Sequence, residues 1–208
     1  NVTMGFNPLD LEVLYLAAAK GFGTLDRERI TILGRAPETV QHDFIKSRAV
    51  PAANGETFYY GRGIRRWLVA GPFDDSDVNV EHLQDEADLH PLEGDVAGAN
   101  AWLRAEHLGY TAERLDIAEV TGAGLSTSTY AFTLVHSDRD QQGFLWLGFD
   151  EFAKVWLNGE TAFEKSSRTT FELAGEQTPI RLRQGENRLL FKVGNLGGGS
   201  VLAAHVVD

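Results

Sequence analysis

The sequence predicts a mainly β chain: an antiparallel β-sandwich over residues 64–208, preceded by a small, mostly helical segment and linker over residues 1–63. The sandwich rests first on period-two alternation of apolar and polar residues, which recurs from Tyr130 to Val207. Turn formers break that alternation at short intervals, and no helix-length pattern separates the strands as a βαβ fold requires. The third sign is Asn158-Gly159, a dipeptide that readily adopts the positive dihedrals of a two-residue hairpin turn.

Taken in order, Asn7 and Pro8 suit the cap and first position of a helix. Leu9, Val13 and Leu16 follow at helical spacing, and Gly21 ends the run. Pro37 is placed to open a second helix with Val40, Phe44 and Ile45 on one side. Residues 49–63 are rich in small and turn-forming residues and read as a linker. Trp67-Leu-Val-Ala70 is a strand stopped by Gly71-Pro72. Residues 74–128 are polar and broken by glycine, the composition of surface loops or of a functional region. Strands then follow around Tyr130–Leu134, Leu145–Phe149, Ala153–Leu157, Ile180–Leu182 and Leu189–Val193, with Val201–Val207 closing the chain.

Composition bounds the function. The 208 residues carry a net charge of −11, which repels phosphate backbones and argues against a nucleic-acid partner. No apolar run reaches the ~18–20 residues of a membrane span. There are no cysteines, so disulfides, thiolate nucleophiles and thiolate zinc sites are excluded together. The six histidines are scattered without an H-E-x-x-H pattern, and no G-x-S-x-G surrounds a serine. The first residue is Asn, without an initiator Met or basic-apolar leader, as expected of a piece of a larger parent.

Three segments carry a resemblance. They are Arg66-Trp-Leu-Val-Ala-Gly-Pro-Phe73, Leu147-Gly-Phe-Asp-Glu-Phe-Ala-Lys-Val-Trp-Leu-Asn-Gly159 and Leu182-Arg-Gln-Gly-Glu-Asn-Arg-Leu-Leu-Phe-Lys-Val193. Together they resemble the galactose-binding-like jelly-roll accessory domains related to the sugar-binding domain of family 2 glycoside hydrolases. The resemblance implies a non-catalytic carbohydrate-binding-like accessory module of a larger exported bacterial protein, extracellular or periplasmic, with an oligosaccharide or polysaccharide as partner. The alternative it leaves open is a structural module that docks neighbouring domains of the parent without a sugar ligand.

Sugar recognition needs polar groups in fixed directions and an aromatic face for the C–H side of the ring. Trp102, in the irregular region, and Trp156, opposite Val155 and Leu157, are the candidate platforms, with burial as the competing reading of each. Sequential strands would gather the loops at 121–128, 150–152, 165–168 and 184–187 at one end, and those at 137–143, 158–160, 174–178 and 194–200 at the other. The first end would then present Asp150, Glu151, Lys165, Ser166 and Arg168, with an Asp150–Arg168 ion pair as the plain alternative. Asp74, Asp75 and Asp77 crowd together as calcium ligands or a solvated loop would, rather than as the separated carboxyls of an acid/base pair. No cofactor and no catalytic residue is expected.

Overall fold

The computed structural model describes residues 48–51, 57–60, 64, 66–106, 114–172 and 175–207. The helices expected within 1–47 lie outside the described residues. In the stretch read as a linker, β1 (Arg48–Pro51) pairs antiparallel with β2 (Thr57–Tyr60).

Among the described residues, two antiparallel sheets make the body of the fold. The first contains β3 (Arg66–Asp74), β6 (Leu103–Glu106), β8 (Thr127–Ser137), β10 (Glu151–Leu157), β11 (Glu160–Thr169) and β13 (Gly185–Asn195). Its spatial order is β11-β10-β13-β8-β3-β6. The second contains β7 (Leu115–Asp116), β9 (Gln141–Phe149), β12 (Glu176–Leu182) and β14 (Val201–Val207), in the order β12-β9-β14-β7. Short strands β4 (Val96–Ala97) and β5 (Asn100–Ala101) pair in the long connection, and α1 (Ile117–Thr121) is capped by the Asp116 carboxylate, which accepts from Glu119 N–H.

Strand alternation turns one side chain in two toward the facing sheet. Val155 and Phe191 are opposite each other in the β10–β13 register, and both are fully buried between the sheets. Ala131, Val135, Leu189 and Val193 join them from the first sheet, and Leu145, Leu147, Leu182, Leu202 and Val206 from the second. Trp67 packs edge-on to Phe191 with ring centres 5.4 Å apart.

The first sheet is buried on its other face as well. Tyr130, Phe132, Trp156 and Leu190 point away from the second sheet and are covered by Leu83, Ala87, Leu89, Ala97 and Trp102 of the long connection. The irregular stretch is therefore a third layer, and it explains why β8 and β13 are buried almost throughout. Polar contacts fasten it. The Lys192 ammonium, fully buried, donates to the Glu86 carboxylate at 3.0 Å and to the Val80 carbonyl, and sits 5.0 Å from the centre of the Tyr130 ring. The Tyr130 hydroxyl donates to the same carboxylate. Burial and the neighbouring Glu86 push the Tyr130 hydroxyl pKa up, while burial pulls that of Lys192 down.

The resembling segments map onto β3, the end of β9 with β10 and the turn after it, and the turn into β13 with most of that strand. Asn158 (φ 54°) and Gly159 (φ 89°) make the tight turn into β11. Buried Asn187 is the partner that secures that turn: its amide oxygen accepts from Asn158 Nδ2 and Arg183 N, both at 2.9 Å, and its amide nitrogen donates to the Arg183 carbonyl at 2.8 Å.

Candidate functional site

The loops meet at the ends differently from the expectation. Residues 165–168 are not a loop: β11 runs unbroken to Thr169. That removes one reversal of direction and flips every later loop to the opposite end. Loop 194–200 therefore meets residues 124–126 and 150–151, as the Asn195 Nδ2 to Gly124 carbonyl bond (3.0 Å) and the Asp150 N to Val201 carbonyl bond (3.2 Å) show. Loop 183–187 instead joins residues 137–141 and 158–160.

At the first end the polar residues come together but are committed to one another. Glu151 is buried, with φ 79°, and its carboxylate accepts from the backbone N–H of Leu196 and of Gly197. Its other oxygen pairs with Arg168 at 2.6 Å. The arginine's ion-pair partner is thus Glu151 rather than Asp150, and the carboxylate pins the glycine-rich loop that follows β13. Burial, with the adjacent Glu151 charge, raises the Asp150 pKa against the opposing pull of Arg168. Lys165 pairs with Glu176, and Ser166 Oγ donates to Glu164 at 3.3 Å.

Neither candidate platform offers a ring face to solvent. Trp102 is 2% exposed, packed on Tyr130 and Phe132, and Trp156 is 4% exposed in the same layer. The aromatic-platform expectation is corrected here: the third layer, unreadable from strand alternation, covers both. The acidic run is likewise engaged in local turns. Asp75 and Asp77 accept from the N–H groups of Asp77 and Asn79, each at 2.9 Å, and Lys154 donates to Asn79 Oδ1 at 2.7 Å. Among the described residues no three His, Asp or Glu side chains converge as metal ligands.

An open cleft of about 470 Å³ lies at the second end, where edge strands β11 and β12 approach each other. The edges are bridged by Thr178 Oγ1 donating to the Ala162 carbonyl at 2.8 Å, and farther along by Lys165 and Glu176. Leu157, Ala162, Pro179 and Ile180 supply the apolar part of the lining. Asp140, Asn158, Glu160, Thr161, Arg181 and Arg183 supply the polar part. Two of these are occupied by the fold: Asp140 accepts from Gln184 N at 2.7 Å, and Asn158 Oδ1 from Arg188 N at 2.9 Å. Arg183 and Glu160 face each other loosely at 3.6 Å, with side chains 66% and 85% exposed. None of these residues was a sequence candidate. The available signal was the alternation of Arg181 and Arg183 with Ile180 and Leu182, which turns both guanidinium groups outward.

Fold and cleft define the class as an antiparallel β-sandwich with a cleft between the edge strands β11 and β12. No family model and no curated protein matches the chain. Among solved structures it is similar to β-glucosidase from Kluyveromyces marxianus, at 11% identity over 81% of this chain and 18% of that one, TM-score 0.46. It is also similar to a glycosyl hydrolase family 2 member from Bacteroides cellulosilyticus, at 13% identity over 69% and 20%, TM-score 0.40. A third is an anti-sigma factor domain-containing protein from Clostridium clariflavum, at 11% identity over 74% and 51%, TM-score 0.39. The chain spans between 18% and 51% of the length of these three.

Proposed function

We propose that the chain is a non-catalytic carbohydrate-binding module of a larger exported bacterial protein, working outside the cytoplasm. The cleft between β11 and β12 carries the reading: an apolar floor to receive the C–H side of a sugar ring, rimmed by guanidinium, carboxylate and hydroxyl groups. Two of the three resembling segments support it, since they supply Leu157, Asn158 and Arg183 to the lining, whereas the first, in β3, lies on the far side of its sheet. A non-catalytic role suits the carboxylates present. A general acid for glycoside hydrolysis needs a carboxyl withdrawn from water, whereas Glu160 and Asp140 are both exposed.

An exposed apolar patch centred on Trp156 would favour the docking alternative, and that side chain is buried. The test is calorimetry against plant and algal polysaccharides and their oligosaccharides, with ligand up to millimolar concentration because shallow sites bind at about −4 kcal/mol. Saturable binding that is lost on filling the cleft with Ala162→Trp, with the variant's circular dichroism unchanged, is the expected result. Absence of binding by the folded protein across the panel ends the proposal.

A further inference from the structure

Resting on the carbohydrate reading, we propose that the cleft selects saccharides bearing a carboxylate. Of the polar groups at its rim, Asp140 and Asn158 already hold backbone and side-chain partners of the fold. Those left to face a ligand are Arg181, Arg183, Glu160 and Thr161. Arg181 makes no hydrogen bond or ion pair among the described residues, and it lies across from the uncharged Gln142 in the β12–β9 register. Arg183 has only the loose, solvent-exposed contact with Glu160, which an incoming carboxylate can replace at little cost.

Arg181 lies in β12 and Arg183 is the first residue past its end, both exposed on either side of buried Leu182, so strand alternation would put them on one side about 7 Å apart. That spacing suits one carboxylate gripped by two forks, or two carboxylates on neighbouring sugar units. Guanidinium is planar and donates two parallel hydrogen bonds to a carboxylate, a geometry that a neutral hydroxyl cannot reproduce. Two guanidinium groups against the carboxylates of Glu160 and Asp140 leave this rim formally balanced on a chain whose net charge is −11, so an anionic sugar is repelled less here than by the surface at large.

The experiment is a titration of the ¹⁵N-labelled full chain with oligouronates (galacturonate, glucuronate and guluronate trimers), each beside its carboxyl-reduced counterpart and a sulfated neutral trimer. The expected result is amide shifts confined to residues 157–162 and 179–184. The oligouronate should bind on the order of tenfold more tightly than its reduced counterpart, with the difference shrinking as salt rises. Arg181→Gln should remove most of that preference, weakening the oligouronate several-fold more than its reduced counterpart. Arg181→Lys should restore only part of it, since an ammonium lacks the fork. Equal or tighter binding of the reduced sugars at the same amides overturns the carboxylate preference and leaves the carbohydrate reading standing. Tighter binding of the sulfated trimer overturns the carboxylate as the recognised group. If no sugar of any kind perturbs these amides, the carbohydrate reading itself fails.

Discussion

At the scale of single residues, the close approach of the third layer to the sheet is decided by an absent side chain. A Cβ on Gly194 would sit 2.0 Å from the Ser76 carbonyl oxygen, a backbone atom that has no rotamer to escape into. Gly194→Ala should therefore lower stability by about 2–3 kcal/mol in urea denaturation. Gly199→Ala meets nothing within 4 Å and should stay within about 0.5 kcal/mol of the parent. A second residue sets a pH limit. His205 is wholly buried in β14, and desolvation holds its pKa down to about 4 from an ordinary 6.5. The unfolded chain then binds the proton first, so stability is lost as pH falls through 6.5 and the full penalty is reached below pH 4. The shift corresponds to about 3 kcal/mol. His205→Gln should flatten that part of the stability–pH curve, and an unchanged acid slope in the variant would refute the assignment.

At the scale of elements, the third layer is fastened by one buried ion pair and its tyrosine. Removing Glu86 alone leaves the Lys192 ammonium buried without its counter-charge, so Glu86→Ala should cost about 3–5 kcal/mol. The double change Glu86→Leu with Lys192→Met replaces both charges by apolar groups and should cost far less than the sum of the single changes; a double-mutant cycle reads this directly. Strand identity was largely legible from the amino acids. The turn at Asn158-Gly159 lies where its dihedral preference puts it, and Val155 and Phe191 face inward as alternation requires. Two things were not legible. Lys165-Ser-Ser-Arg168 resembles a loop because β11 is an edge strand whose side chains are largely solvated, so its polarity reflects position in the sheet and not the absence of one. The covering of Tyr130, Phe132 and Trp156 depends on where a sequence-distant, non-periodic segment comes to rest, which no local pattern encodes.

At the scale of the whole molecule, all four tryptophans are shielded: Trp67, Trp102 and Trp156 by the layers packed on the two faces of the first sheet, while Trp146, in β9 of the second sheet, is buried as well. The native protein should emit at short wavelength, resist acrylamide quenching, and shift to the red in a single transition on unfolding. Saturation with an oligosaccharide at the cleft should leave the emission maximum in place. A ligand-induced shift would mean that a tryptophan lies at the contact and that the β11–β12 edge is the wrong place.

The cleft draws its lining from strands at the rim of each sheet, with one hydrogen-bonding side unshared and half their side chains in water. Positions 160, 161, 181 and 183 are thereby uncoupled from the packed interior. A combinatorial library restricted to those four should retain folded members at high frequency, so specificity at this edge is open to redesign without first raising thermal tolerance.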